Sequence, residues 1–208
     1  PTRNDMFNGM DDLIEGELGI LEEESVVNQE LGTRYTNKKL SIDANLYYMD
    51  FDNEIVLNGQ FGPNGLALTN SVEQSYRSGF ELDINYVLNK WITISNSSSY
   101  NRSRIEQDNI NFEPILTPSI IINQMVDFTI DKFIISFNGR YQSESYINFA
   151  NTEKIDDYFL LNANVAFKAN KNWLFNARIN NLTDHQYFNN GYVDFDGTNR
   201  YFVQAPIN

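Results

Sequence analysis

Eight stretches of the chain alternate apolar and polar residues with a period of two. This is the pattern of a strand whose two faces meet different surroundings. The clearest sets Phe80, Leu82, Ile84, Tyr86 and Leu88 against Gly79, Glu81, Asp83 and Asn85. Leu40, Ile42, Ala44, Leu46 and Tyr48 oppose Ser41, Asp43 and Asn45 in the same way. Further strands are predicted around Ile92 to Tyr100, Phe133 to Gln142, Phe159 to Phe167 and Trp173 to Asn180. Two more, about Val26 to Tyr35 and about Ser119 to Ile130, alternate weakly. Connections run short, long, short, long: Thr36 to Lys38, Asn89 to Lys90, Asp131 to Lys132 and Lys168 to Asn172 are tight turns, and the intervening links are long. An up-and-down antiparallel sheet follows, with every tight turn at one end and every long loop at the other.

The predicted strands are roughly 10–14 residues long, enough to cross a bilayer when tilted, whereas soluble strands average about 5–6. Charge is sorted between the two ends. Six of the seven lysines (Lys38, Lys39, Lys90, Lys132, Lys168, Lys171) lie in or beside the tight turns. Of the 28 acidic residues, 22 fall before Val26 or in the long loops. A domain bathed in one solvent has no need of such sorting; a sheet that spans a membrane does. Aromatic residues gather near both strand ends: Tyr35, Trp91, Phe133, Phe167 and Trp173 by the tight turns, and Tyr48, Tyr100, Tyr141 and Tyr158 by the long loops. Two such belts suit the headgroup zones of a bilayer. The fold class is therefore all-β, a membrane barrel whose apolar face meets lipid and whose polar face, with Asp43, Glu81, Asp83, Arg140 and Arg178, lines a wet lumen.

Composition removes other classes. The net charge of −13 argues against a nucleic-acid partner. With no cysteine there is no disulfide framework or thiolate metal site. With His185 as the one histidine, a histidine-rich metal centre lacks ligands and a Ser-His-Asp triad has a single candidate base, so no enzyme is expected. The smaller motifs read more simply as structure. Asp184 beside His185 is a strand-to-loop junction; Glu81 and Asp83 belong to a hydrated lumen network or contact something held inside the lumen. Asp194 and Asp196 lack the rest of a calcium loop, and Gly59 to Gly65 lacks the Lys-Ser/Thr and helix of a phosphate loop. Three glycosylation-type sequons, at Asn96, Asn101 and Asn181, carry little weight. Loop residues Asp50, Asp52, Tyr146, Tyr187, Tyr192 and Asp194 are candidate ligand contacts that nothing in the sequence ranks, so ligand-binding residues stay unassigned, with no catalytic, cofactor or metal residue proposed.

The segment Asn176 to Tyr187, with Asn181, Leu182, Asp184 and Tyr187 after an alternating strand, resembles the C-terminal signature of TonB-dependent outer-membrane receptors. Glu30-Leu-Gly-Thr-Arg-Tyr35, Tyr47 to Ile55, Ser78-Gly-Phe-Glu81 and Pro1 to Phe7 resemble further family segments in matching order. Arg200 to Pro206 resembles the lead-in to the final strand. The resemblance implies that residues 1–208 are the C-terminal portion of the barrel, about eight strands of 22, without the plug domain, the earlier strands or the final strand. It implies the outer membrane of a Gram-negative bacterium, with tight turns periplasmic and long loops outside. It further implies lipid and lipopolysaccharide around the wall, a ferric siderophore or similar nutrient as ligand, and TonB engaged through the plug. Acidic loops among lipopolysaccharide would be bridged by divalent cations. The rival readings are a secreted soluble β-sandwich that binds carbohydrate or peptide, whose aliphatic faces would pack on each other, and an outer-membrane enzyme barrel, which the single histidine opposes.

Overall fold

The computed structural model describes residues 23–61, 67–107, 110–194 and 197–203. The described residues form strands and turns. The strands are β1 (Ser25–Thr36), β2 (Leu40–Phe61), β3 (Ala67–Val87), β4 (Ile92–Gln107), β5 (Ile110–Phe112), β6 (Ile120–Ile130), β7 (Phe133–Gln142), β8 (Ser145–Tyr146), β9 (Lys154–Ile155), β10 (Tyr158–Lys168), β11 (Leu174–Ile179), β12 (Phe188–Val193) and β13 (Asn199–Val203). The large sheet runs β1-β2-β3-β4-β6-β7-β10-β11, and every neighbouring pair is antiparallel. These are the eight strands of the sequence pattern, in chain order, forming an open sheet whose edges are β1 and β11. β5 pairs with β4; β8–β9 and β12–β13 make two small hairpin sheets in the long connections.

Cross-strand register carries the period-two pattern into two continuous faces. Ile42 lies opposite Ile84, which lies opposite Asn96, then Gln124, Gly139 and Leu161. One face holds Leu46, Phe80, Ile122, Phe137, Phe159, Val165 and Phe175, all substantially exposed; Phe80 is 36% and Phe175 54% exposed. A sandwich would bury this face under a second sheet. Here it stays uncovered, and the buried apolar residues (Phe51, Val56, Val72, Ile105, Ile115, Ile147, Ile155, Tyr158, Leu160) belong to the other face, the far strand ends and the loops.

Aromatic rings mark both borders of the apolar face. Near the tight turns Trp173 stacks on Phe175, Phe175 on Phe167 and Phe167 on Phe133, with centroids 6.0, 6.5 and 4.6 Å apart. Lys90 sits 4.5 Å over the Trp91 ring. At the upper border Tyr48 stacks on Tyr76 at 6.1 Å. Leu40 and Tyr48 are eight residues apart; at about 3.4 Å per residue and a tilt of about 40° they climb about 21 Å, near the ~25 Å apolar band of membrane barrels.

Four wall strands depart from the expected length: β11 has only 6 residues and three others are longer. β2, β3 and β4 have 22, 21 and 16 residues. Beyond Tyr48, β2 continues to Phe61, roughly 44 Å along the strand at the same rise. Asp50, Asp52, Glu54, Glu73 and Glu106, expected in loops, therefore lie on strands. Above the upper ring border the strict alternation ends: polar residues run on, while Val56, Val72 and Ile105 are buried on one side. The acidic residues still gather at the end opposite the lysines. Asn53 adopts a left-handed φ of 56°, and after it Glu54 turns to the same side as Ser75 and Arg77. The segment Pro1 to Glu22, Gly62 to Gly65, Asp196 and the Gln204 to Pro206 part of the final motif lie outside the described residues.

Candidate functional site

The polar face is a wall of short amides, hydroxyls and a few charges. Asn85 donates to Ser95 (2.9 Å), Asn162 to Asn138 (3.4 Å) and Arg140 to Asn123 (3.0 Å). Shallow troughs follow this wall. One of about 380 Å³ is lined by residues that include Asp43, Asp83, Ser97 and Asn123; another of about 390 Å³ includes Ser136, Asn164 and Arg178. Acidic groups collect on β2 and β3, where Asp43 and Asp83 are direct cross-strand partners and Arg34 pairs with Asp43. Arg140 and Arg178 stand on the opposite side, on β7 and β11. Glu81 and Asp83 thus share the wall with Arg34 and Asp43, as a lumen network requires. At Gly79 the Tyr47 ring occupies the space of a side chain: a Cβ there would lie 2.4 Å from the ring and 2.5 Å from the Tyr100 carbonyl oxygen.

Above this wall the strand extensions and loops build a small chamber. Phe51, Ser75 and Ile105 are successive cross-strand partners, on the same face as Arg77, Gly79 and Glu81. On that side Val56, Val72 and Ile105 form a buried cluster, with Phe112 and Phe149 packed on it and on each other at 4.4 Å. The long connections therefore fold inward over the polar wall. Buried Glu54 accepts from Ser75 and pairs with Arg77, whose guanidinium also lies 4.9 Å over Phe51. A buried carboxylate needs such partners, because unpaired charge in a low-dielectric site is costly. Arg77 Nε is buried without an acceptor among the described residues.

Loop-to-loop contacts hold the chamber's rim. Asn151 accepts from the Glu113 N–H (2.5 Å) and donates to its carbonyl (2.9 Å), while Arg104 pairs with Glu113. Asn199 donates to Glu153 at 2.5 Å. Gly59, at φ 83°, lies so near the Ile147 carbonyl that a Cβ would sit 2.6 Å from it, so only glycine fits the position. Lys154 donates to Glu144 at 2.5 Å, and that carboxylate holds its amine above the usual lysine value. Because the shift is upward, the contact's contribution is complete at neutral pH and is lost only as pH rises past the ordinary lysine range.

Of the sequence candidates, Asp50 and Asp52 are strand residues on β2; the others are dispersed. Tyr146 is on β8, Tyr187 packs on Tyr158 (4.7 Å), Tyr192 on Phe202 (5.9 Å), and Asp194 accepts from Arg200 (3.1 Å). The structure brings together no ligand set from these six. His185 meets Asn181 through its backbone: its N–H donates to Asn181 Oδ1 (3.0 Å) and its carbonyl accepts from Asn181 Nδ2 (2.9 Å). Asn181 is buried at φ 52° and its N–H donates to Asn162. The Asn181 to Tyr187 motif thus opens as a strand-terminating turn held by Asn181. Glu54, Arg77 and Phe51, the inward-facing polar and aromatic group of the chamber, carried no sequence signal beyond their position near a predicted strand end. Among the described residues no group of three or more His, Cys, Asp or Glu side chains is placed to hold a metal ion.

A family model described as TonB dependent receptor-like, beta-barrel, matches residues 1–182. The fold is similar to that of the ferric yersiniabactin uptake receptor FyuA from Yersinia pestis, with TM-score 0.74 and 16% identity, covering 88% of this chain and 28% of that one. It is also similar to the ferric citrate transporter FecA (0.72, 20% identity, 88% and 30% covered) and the copper transporter OprC (0.74, 16% identity, 90% and 30% covered). The chain spans less than a third of the length of these proteins.

Proposed function

The chain belongs to the TonB-dependent receptor family, and on that premise we propose that it supplies wall and outer loops to a receptor for TonB-energised uptake of a scarce nutrient, a ferric siderophore or similar iron complex. The receptor sits in the outer membrane of a Gram-negative bacterium. The tight-turn end, with its lysines, faces the periplasm and the phospholipid leaflet; the acidic end rises among lipopolysaccharide. TonB acts on a plug domain that this segment encloses.

One observation carries the reading: an uncovered apolar face bordered by two rows of rings, beneath a chamber whose loops fold inward over the polar face. The first property suits lipid and the second suits capture of a ligand from outside. The ferric receptors among similar folds favour an iron complex. Such a complex is held by shape, stacking and hydrogen bonds, because the chelator already fills the ferric ion's ligand positions and no group of three or more His, Cys, Asp or Glu is placed to hold a metal among the described residues.

The test is uptake of radiolabelled iron by cells carrying the full receptor. Catecholate, hydroxamate and citrate complexes are supplied beside a copper chelate and an oligosaccharide. We expect one iron complex to enter, with loss of uptake when the proton gradient is collapsed. Replacing residues 53–73 by a tight turn should abolish binding while leaving the barrel folded. Uptake of the oligosaccharide alone would contradict the assignment.

A further inference from the structure

We propose that the tight-turn end holds a site for an anionic glycerophospholipid, with acyl chains on the ring row Phe133, Phe167, Phe175 and Trp173 and phosphate at Lys132 and Lys171. The inference rests on the membrane placement proposed above and adds to it a lipid of stated charge at a stated place. Phe133, Phe167 and Phe175 are successive cross-strand partners on β7, β10 and β11, in the outward series that holds Phe137 and Val165. Trp173 extends the row by stacking on Phe175. Phe133, Phe175 and Trp173 are exposed.

Two tight turns close directly below this row, one joining β6 to β7 and one joining β10 to β11. The Lys168 N–H donates to the Lys132 carbonyl (2.9 Å), and Lys132 Nζ donates to the Ala169 carbonyl (3.4 Å), so the two turns lie side by side. Together they carry Lys132, Lys168 and Lys171 against one acid, Asp131. The Thr129 N–H donates to the Trp91 carbonyl (2.7 Å) and brings the turn with Lys90 alongside. At the acidic end Lys154 pairs with Glu144. Among the described residues Lys90, Lys132, Lys168 and Lys171 have no carboxylate partner. The chain has 28 acidic residues, yet it leaves these ammonium groups unpaired at the edge of its apolar face.

Charge and shape together select the occupant. The rings call for an apolar body lying inside the membrane border, which neither a soluble acidic protein nor free phosphate supplies. The ammonium groups at that border call for net negative charge. A zwitterionic headgroup brings its own cation and gains less from them. Lysine stems are long enough to follow the headgroup level, and basic residues beside a membrane surface attract anionic lipid.

Ile130→Cys, carrying a fluorophore, tests the site in the full receptor reconstituted in phosphatidylcholine bilayers. Ile130 is the cross-strand partner of Phe133 and is exposed, and this chain contributes no other thiol. The probes are phosphatidylglycerol and phosphatidylcholine with brominated acyl chains, which quench on contact. Quenching by the brominated phosphatidylcholine at high content reports the membrane placement separately. Phosphatidylglycerol should reach half its effect at about fivefold lower content, the worth of about one lysine beside a membrane. Lys132→Gln with Lys171→Gln should abolish that preference. Lys38→Gln with Lys39→Gln removes the same charge from a turn without the ring row and should leave it intact. Equal half-points for the two lipids would overturn the proposal while leaving the placement standing. An equal loss in both pairs of variants would overturn it in favour of a diffuse positive rim, and quenching by neither lipid would overturn the placement and the site together.

Discussion

Asp43 and Asp83 face each other directly across β2 and β3, an arrangement that like charges disfavour. Arg34, opposite Asp43 on β1, offsets the repulsion. The balance predicts an asymmetry. Arg34→Ala leaves two carboxylates unopposed and should destabilise the full receptor by about 0.2–1 kcal/mol. Asp43→Asn removes the ion pair and the repulsion together and should be nearly neutral. Thermal melting of each variant in detergent checks the order, and an Asp43→Asn loss larger than that of Arg34→Ala would contradict it. The charges themselves were legible, because Asp43, Glu81, Asp83, Arg140 and Arg178 alternate with apolar neighbours. The pairing of Glu54 with Arg77 was not legible. It depends on the left-handed turn of chain at Asn53, which reverses the inward side midway along β2, and no spacing rule foresees that reversal.

The strands read well where lipid or a lumen presses on them and poorly beyond. Between the two ring borders each position has an assigned medium, so hydrophobicity must alternate, and the eight wall strands follow from that. Strand β6 alternated weakly because Gln124 stands on the apolar face while Ile121 and Met125 stand on the polar one. Above the upper border the constraint ends, and the extensions of β2, β3 and β4 look like loop. The small strands β5, β8, β9 and β12 depend on contacts between distant loops, such as Phe112 on Phe149, that local pattern does not encode. Packing across the wall makes its own demand at Gly79. Gly79→Ala places a methyl 2.5 Å from the Tyr100 carbonyl oxygen and should cost about 1–3 kcal/mol. Gly32→Ala, whose nearest neighbour would be 3.4 Å away, should be tolerated. Equal melting temperatures for these two variants would show that the Tyr47 ring and β4 yield more readily than the close fit implies.

The whole segment is a slice of wall with two open edges and a broad exposed apolar face. It has too little surface of its own to cover either. In the proposed receptor its stability would belong to a closed barrel, with strands added at β1 and β11, lipid outside and a plug within. The loop chamber adds a second layer of order at one end, where Val72, Ile105 and Ile147 are almost fully enclosed. Both parts depend on one assignment of faces, and site-directed spin labelling along β3 of the full receptor in bilayers measures it. Labels at Phe80, Leu82 and Ile84 should be relaxed by oxygen dissolved in lipid, and labels at Glu81, Asp83 and Asn85 by a water-soluble nickel complex, in strict alternation. Labels at Phe80, Leu82 and Ile84 shielded from both relaxants would place that face in a dry protein core and contradict the account.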